Sequence, residues 1–284
     1  MHMKTGLVLE GGASRGYFTV GVLDALYDMG FKADLLVGTS AGIANGVSFV
    51  SGQRGRNLEI ALRYLPDKRY MGIRHLLNPK NRSLYNLKFV FNDLPNKYAP
   101  FDYDAFDNSG CTALAALTNL KTGKCEFHKV KSSDKEWKTV IASCALPLLF
   151  QPVEIDGELY LDGGITVPIP VDKAIEDGCD KIVVVTTRER EYVKDEESAV
   201  KIVNKLYKKH PEFTEAMTAR ARKYNENHAH VLELEKEGRI IHIAPEISTA
   251  SWKRTERGNK AIQAMYDEGY KTAMKYKNLI TEKG

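Results

Sequence analysis

A serine between two glycines has the residue type and the spacing that acyl-transfer chemistry requires. Residues 38–42 (GTSAG) follow a short apolar segment and precede an apolar stretch of helical character. On so sharp a strand-to-helix turn the hydroxyl of Ser40 projects clear of the sheet, and the glycines let neighbouring backbone pass close by. Ser40 is therefore a candidate nucleophile, with Gly38, Ala41 and Gly42 supporting its turn. The same spacing arises by chance in about one chain in ten of this length.

A second turn, residues 10–16 (EGGASRG), brings backbone amides together at the start of another helical segment. Unpaired N–H groups at such a position attract negative charge. Gly11 and Gly12 are therefore candidates to bind either a phosphate or the oxyanion of a tetrahedral intermediate. Tyr17 and Phe18 stand where a nucleotide-binding P-loop has lysine and serine or threonine. The sequence thus argues against a P-loop.

The third candidate is an aspartate at the end of a predicted strand. Asp162 follows the apolar residues 159–161 and precedes Gly163 and Gly164. Two glycines at a strand end let the backbone approach a ligand closely, but Asp-Gly is also common in ordinary turns. The significance of Asp162 therefore depends on the other two motifs.

The elements around these turns predict an α/β fold. Residues 182–185 form an apolar run typical of a central parallel strand, and residues 156–157 (DG) between apolar segments predict a hairpin. Strands that alternate with helical segments indicate three layers with a mostly parallel sheet. We predict a core over residues 3–187, with a helical cap over residues 53–100, and a mainly helical C-terminal extension over residues 188–284 that packs on it. The charges of the extension are expected to lie on solvated helix faces.

Composition argues against several other classes of protein. The chain has 284 residues and a net charge of +4, too small an excess to indicate a nucleic-acid-binding protein. No apolar run reaches the roughly 18 to 20 residues that cross a bilayer. The chain enters a predicted strand almost at once, and its four cysteines show no metal-binding spacing. We therefore expect a cytoplasmic protein with reduced thiols.

Taken in this order, the three turns resemble the pattern of patatin-like phospholipases, lipid acyl hydrolases that use a Ser–Asp dyad in place of a triad. Residues 142–147 (ASCALP), with Phe150 and Pro152, resemble the stretch that leads to the Asp-Gly-Gly of this family. The resemblance covers roughly residues 4–187 and implies a three-layer α/β/α patatin-like sandwich. It also implies cleavage of a carboxylic ester of a lipid, as a phospholipase A or lysophospholipase, through an acyl-enzyme and without a cofactor or a metal.

The resemblance also assigns a role to each matching residue. Ser40 becomes the nucleophile and Asp162 its base. The oxyanion hole is formed by the amides of Gly11, Gly12 and Ala13. Ala13 departs from the family, which usually has another glycine there, but alanine retains its N–H. The residues that support these motifs are Arg15, which shapes the loop, Gly16, Gly163 and Gly164.

The main enzymatic alternative is an α/β-hydrolase-type esterase or an acyltransferase, both of which require a histidine base after the serine. His242, at the end of a late predicted strand, is the candidate. A half-buried strand residue also explains it and is the interpretation we favour. His228 and His230 are two positions apart and would lie on different faces of a helix. The histidine alternative therefore rests on His242.

A basic segment supports a further, non-catalytic alternative. Residues 53–88 contain nine lysines and arginines against Glu59 and Asp67. Each basic residue near an anionic membrane contributes roughly 1 kcal/mol to binding. The segment therefore predicts either a lipid- or membrane-surface-binding module without catalysis, or an enzyme in peripheral contact with an anionic inner membrane surface.

Overall fold

Eight strands within residues 3–282, which the computed structural model describes, form one mixed sheet. In chain order they are β1 (Thr5–Leu9), β2 (Leu35–Thr39), β3 (Thr112–Asn119), β4 (Cys125–Lys129), β5 (Val153–Ile155), β6 (Glu158–Asp162), β7 (Lys181–Val185) and β8 (Ile241–Ile243). Their spatial order is β5-β6-β3-β2-β1-β7-β8, and β4 also pairs with β3. The five strands from β3 to β8 in this order are parallel. The other three join through antiparallel pairs.

Helices occupy much of the remaining chain. They are α1 (Gly16–Asp28), α2 (Ala41–Val50), α3 (Arg56–Tyr64), α4 (Ile73–Leu77), α5 (Tyr103–Asp107), α6 (Lys138–Ser143), α7 (Val171–Glu176), α8 (Ala199–Leu206), α9 (Pro211–Thr218), α10 (Arg220–Lys236), α11 (Asn259–Lys275) and α12 (Lys277–Thr281). Short 3₁₀ turns cover Ala13–Arg15 and Gly163–Ile165, and a π-helical segment covers Phe89–Tyr98. Between residues 3 and 282, no helix combines the length and the apolar character needed to cross a membrane.

Alternate side chains of the central strands pack into two separate apolar cores. Along β1, Leu7 and Leu9 lie in one core together with Ile43 of α2. Val8, between them, lies in the other core together with Val231 of α10. Because successive strand residues point to opposite faces, this division places helices on both sides of the sheet. The predicted three-layer α/β/α fold is confirmed.

Strand β3 aligns two other strands end to end along one of its edges. β2 runs parallel to its first half and ends with Thr39 beside Ala116. β6 runs antiparallel to its second half and ends with Asp162 beside Leu117. β4 pairs with residues of both halves and so occupies the opposite edge. The C-terminal ends of β2 and β6 therefore meet at adjacent residues of β3.

The C-terminal region extends the same sheet and packs against one of its layers. β8 pairs parallel to β7, and α11 packs along α1. The two helices cross closely, because a Cβ on Gly21 would overlap the carbonyl oxygen of Tyr266 and one on Gly269 would overlap that of Phe18. Tyr266 also donates a hydrogen bond from its hydroxyl to Asp24 Oδ2 at 2.9 Å.

This close crossing gives a prediction for stability. Gly269→Ala places a methyl group against the backbone of α1, so we expect the free energy of unfolding to fall by about 1 to 2 kcal/mol. Because the overlap is with backbone, we take the upper part of the usual overpacking cost, about 2 to 3 kcal/mol, and the better helix propensity of alanine offsets about 1 kcal/mol of it. Urea unfolding followed by circular dichroism measures the change.

Ala264→Ser is the matched control, because it adds one heavy atom at an exposed position of the same helix. It should change the free energy of unfolding by about 0.5 kcal/mol or less. Equal losses in the two variants would contradict a close crossing at Gly269.

Candidate active site

Ser40 lies in a strained turn between β2 and α2. Its φ and ψ angles are 52° and −124°, a backbone conformation that a residue with a side chain rarely adopts. Glycine is needed on both sides of it. A Cβ on Gly42 would lie 2.5 Å from the carbonyl oxygen of Leu9, and one on Gly38 would lie 2.6 Å from the amide nitrogen of Ile43. The surrounding backbone thus holds Ser40 in its turn.

Asp162, at the end of β6, contacts Ser40 directly. Ser40 Oγ donates a hydrogen bond to Asp162 Oδ2 at 2.7 Å. The other carboxylate oxygen, Oδ1, accepts from the amide of Gly164 at 2.7 Å. A Cβ on Gly163 would overlap the carbonyl oxygen of Ala116, which is why the chain needs glycine directly after Asp162. Residues 122 positions apart in sequence are therefore held in contact.

Ser143, at the end of α6, braces this contact. Its hydroxyl accepts a hydrogen bond from the amide of Ser40 at 2.8 Å and donates one to the carbonyl oxygen of Ala116, also at 2.8 Å. It links the turn to β3 at the point where β2 ends. The sequence placed Ser143 in a stretch that matched the family pattern but did not predict this role.

Burial makes the carboxylate of Asp162 a stronger proton acceptor. The residue is 2% exposed, and removal from water raises the pKa of its carboxyl above the ordinary value. The hydrogen bond from Ser40 and the positive charges of Arg220 and Arg254 act in the opposite direction but do not cancel the effect of burial.

The glycine loop passes directly over Ser40. A Cβ on Gly11 would lie only 3.0 Å from the Cβ of Ser40. The amide of Gly11 donates to the carbonyl oxygen of Pro168 at 3.3 Å, whereas the amides of Gly12 and Ala13 have no acceptor within residues 3–282. Ala13 has a φ of 50°, so its backbone adopts a left-handed conformation despite its Cβ. Two backbone donors are thus available beside the serine.

The remaining motif residues join this loop to the serine turn. A Cβ on Gly16 would lie 3.1 Å from the Cβ of Ala41, so the two helix starts touch there. Arg15 is 8% exposed, and its guanidinium makes no hydrogen bond to the loop or to any other group in the described part of the chain.

Two cavities of different character meet at Ser40. An apolar cavity of about 260 Å³ is walled in part by residues of the predicted cap, among them Ile60, Leu65, Tyr70, Tyr85 and Phe91. A smaller, polar cavity of about 60 Å³ is lined by Asp162, the glycine loop and several cationic side chains.

Some charges of the C-terminal region contribute to the polar cavity. Glu197 pairs with Arg220 at 2.7 Å and with Lys194 at 2.5 Å, and all three side chains are largely buried. The prediction that this region carries only solvated charges is wrong for them. Lysines, arginines and glutamates are interspersed throughout residues 188–237. The sequence therefore does not distinguish the buried charged side chains from the exposed ones.

Two of the three histidines singled out in the sequence bond with other groups. The third, His228, is buried, and its Nε2 has no hydrogen-bond partner in the described chain. His242 is buried on β8, where Nδ1 bonds with Glu235 at 2.8 Å and Nε2 with Thr186 Oγ1 at 2.9 Å. His230 pairs with Asp172 at the surface. Within residues 3–282, Asp162 and not a histidine accepts the hydrogen bond from Ser40 Oγ.

Comparison with known proteins places this chain in a family. The family model described as patatin-like phospholipase matches residues 7–175, which is more than half of the chain. The chain belongs to the patatin-like phospholipase family. A second family model, a domain of unknown function (DUF6363), matches residues 210–282.

The similar proteins are longer than this chain. The uncharacterized protein YjjU of Escherichia coli K12 is 31% identical over 191 residues, which cover 65% of this chain and 52% of YjjU. Lysophospholipase nte1 of Aspergillus niger is 30% identical over 185 residues, which cover 63% of this chain and 11% of nte1. The chain thus spans about half of the first protein and about a tenth of the second. The structure of VipD from Legionella pneumophila aligns with 98% of this chain and 67% of its own chain, with a TM-score of 0.50. At 16% identity, this is a likeness of fold.

The burial of Asp162 predicts a pH-dependent effect on stability. Because burial raises the folded-state pKa above the unfolded value, its ionisation reduces stability as the pH rises through the folded-state pKa. The neutral variant Asp162→Asn should therefore have a larger free energy of unfolding than the wild type at pH 7, and the difference should shrink as the pH falls toward 4. Urea unfolding at several pH values measures this.

Asp195→Asn, at an exposed position, is the control and should show little change over the same pH range. A difference between Asp162→Asn and the wild type that grows as the pH falls would contradict the raised pKa.

Proposed function

We propose that this protein hydrolyses carboxylic esters of lipids, with Ser40 as the nucleophile and Asp162 as the general base. The observation that carries the proposal is the 2.7 Å hydrogen bond from Ser40 Oγ to Asp162 Oδ2, beside free backbone amides and an apolar cavity. A serine hydroxyl is too weak an acid to attack unaided, so it needs an acceptor within hydrogen-bonding distance. Asp162 meets this requirement without a histidine.

In the first step, Ser40 Oγ attacks the ester carbonyl carbon while its proton passes to Asp162. The carbonyl oxygen becomes an oxyanion, which the amides of Gly12 and Ala13 stabilise. The amide of Gly11 joins them if it leaves the carbonyl oxygen of Pro168. Each such donor accounts for about 10² to 10³ in rate. The bond to the alcohol then breaks, and Asp162 returns the proton to the leaving alcohol.

In the second step, water attacks the acyl-enzyme. Asp162 accepts a proton from the water, a second tetrahedral intermediate forms at the same amides, and its collapse releases the fatty acid. The proton returns to Ser40 Oγ, which restores the starting state. The apolar cavity holds the acyl chain throughout, because apolar side chains of the cap surround it.

The relatives support a phospholipid or lysophospholipid as the substrate. The fungal proteins of 28 to 30% identity are named lysophospholipases, and the family model is named for phospholipases. We therefore propose phospholipase A or lysophospholipase activity within the broader class of lipid acyl hydrolases.

Contact with an anionic membrane surface would bring the lipid to the apolar cavity. Ile73 and Leu77 on α4 are 70% and 75% exposed. In the sequence, α4 lies between Tyr70 and Tyr85, which both line the cavity. Three arginines of the basic segment pair with carboxylates: Arg54, Arg63 and Arg69. The exposed cations without a paired carboxylate in the described chain are Lys68, Arg74, Lys80, Arg82 and Lys88. This arrangement favours peripheral contact through α4.

Substitution of the two dyad residues tests the reaction. Ser40→Ala should abolish both hydrolysis of a lysophospholipid and labelling by a fluorophosphonate probe. Asp162→Asn should lower kcat by about 10² to 10⁴, because a general base typically contributes that much. Fatty acid release and probe labelling are measured on protein shown to be folded by circular dichroism.

His242→Ala distinguishes the dyad from a histidine mechanism. It should retain activity per folded molecule, because His242 bonds with Glu235 and Thr186. Loss of activity in folded His242→Ala, or full activity in Ser40→Ala, would refute the proposed mechanism. The absence of any ester hydrolysis in the wild type would favour the non-catalytic lipid-binding alternative.

Introduction of negative charge on the apolar face of α4 tests membrane contact. The double variant Ile73→Asp, Leu77→Asp should lose about tenfold or more of its activity on anionic vesicles, because two apolar side chains no longer enter the membrane. Its activity on a soluble p-nitrophenyl ester should stay within about twofold of the wild type.

Leu279→Asp, on α12, is the matched control. Leu279 is exposed, but α12 lies beside the start of β7, at the opposite end of the strand from the site. This variant should behave as the wild type on both substrates. Equal loss on vesicles in the two variants would argue against a specific role for α4.

A further inference from the structure

The polar cavity beside Ser40 has a charge that the proposed ester hydrolysis does not use. Its volume is about 60 Å³, enough for a group of only a few heavy atoms. Five cationic side chains line it: Arg15, Arg188, Lys194, Arg220 and Arg254. Arg15 alone lies within the residues matched by the patatin-like family model, and the other four come from the C-terminal region. Most of the charge of this cavity therefore comes from outside the patatin-like match, and Arg220 and Arg254 lie within the residues that the second family model matches.

Two of these arginines have buried donors without acceptors. Arg15 is 8% exposed, and its Nε is fully buried with no acceptor in the described chain. Arg188 Nε is likewise buried without an acceptor, although Nη1 of the same side chain donates to Thr249. Buried polar groups are normally hydrogen-bonded, so such donors call for a bound group that accepts. Arg15 lines the cavity, and its guanidinium makes no hydrogen bond in the described chain, so an anion in the cavity would give this side chain an acceptor.

The surrounding carboxylates do not neutralise the cations. Glu197 alone is shared by three of them: Lys194, Arg220 and Arg254. Glu189 lies near Arg188, and Glu10 and Asp162 line the cavity itself. Even with all four carboxylates ionised, five cations leave one positive charge.

We propose that this cavity binds the phosphate group of the lipid substrate, while the acyl chain occupies the apolar cavity and the ester bond lies at Ser40. The inference rests on the proposed ester hydrolysis and specifies its substrate class. Guanidinium groups bind phosphate through charge-assisted hydrogen bonds in a matching planar geometry. Arg254 lines both cavities and so stands where the headgroup and the chain diverge. The C-terminal region thereby selects phospholipids or lysophospholipids over uncharged lipid esters.

Arg254→Gln tests this selection, because the Arg254 side chain is partly exposed and its replacement leaves the backbone contact with Ser14 in place. The substrates are lysophosphatidylcholine and a monoacylglycerol with the same acyl chain. We expect kcat/KM for the lysophospholipid to fall about tenfold, through KM, as for loss of one charge-assisted hydrogen bond. The value for the monoacylglycerol should fall by a clearly smaller factor, because that substrate has no phosphate group.

Two further variants separate charge from structure. Arg254→Lys should restore part of the lost activity on the lysophospholipid. Arg222→Gln, at an exposed position of α10 two residues from Arg220, should change neither substrate. An equal loss on both substrates in Arg254→Gln, or no loss on either, would overturn the proposed phosphate site.

A binding measurement makes the test independent of catalysis. Glycerophosphocholine, the headgroup without an acyl chain, should bind to the Ser40→Ala protein in calorimetry, and the additional change Arg254→Gln should weaken binding about tenfold. It should also inhibit the hydrolysis of lysophosphatidylcholine competitively. If inorganic phosphate binds to the protein but does not compete with lysophosphatidylcholine, the cavity is an independent anion site. That result would overturn the headgroup assignment.

The two proposals can fail separately. If the wild type hydrolyses esters but glycerophosphocholine does not bind, the phosphate site is refuted and ester hydrolysis stands. If glycerophosphocholine binds in an Arg254-dependent manner but no ester is hydrolysed, the proposed reaction is refuted, and the polar cavity remains a phosphate site.

Discussion

The end-to-end meeting of β2 and β6 along β3 is the constraint on which the candidate site depends. Backbone pairing fixes Thr39 beside Ala116 and Asp162 beside Leu117. Serine and aspartate have short side chains, so a direct hydrogen bond between them requires their backbones to be adjacent. A single template strand provides this adjacency, and Ser143 links the turn that follows β2 to the same strand. In the proposed mechanism, no third side chain is then needed to relay the proton.

The same arrangement carries two unfavourable terms. Ser40 adopts a left-handed backbone conformation, and Asp162 is an acid removed from water. Strain and desolvation of this kind cluster at functional sites because they prepare reactive groups in advance. Two apolar cores, one on each face of the sheet, compensate for them. The fold thus stabilises a local geometry that an isolated turn would not maintain.

Distant parts of the chain complete the surroundings of Ser40. The N-terminal glycine loop supplies free amides, residues 53–100 wall much of the apolar cavity, and the C-terminal region supplies most of the cations of the polar cavity. Under the two proposals, an acyl chain and a phosphate group would occupy separate places on either side of the reacting ester bond. The walls of the two cavities thus combine residues of the patatin-like family match with residues of the C-terminal region outside it.

The sequence by itself determined the three turns, because each depends on local requirements that leave a local pattern: glycine where backbone passes closely, an apolar strand before, a helix after. The order of those turns was enough to indicate the family and the fold. Only the tertiary structure decided which other side chains reach the site. Arg220 and Arg222 have the same chemistry and lie two residues apart on α10, yet one lines the polar cavity and the other is exposed. Ser143 and His242 give the same lesson, since packing between segments distant in sequence brought the serine to the site and the histidine to Glu235. Long-range packing of this kind leaves no mark on residue type or spacing, so it could be learned only from the folded chain.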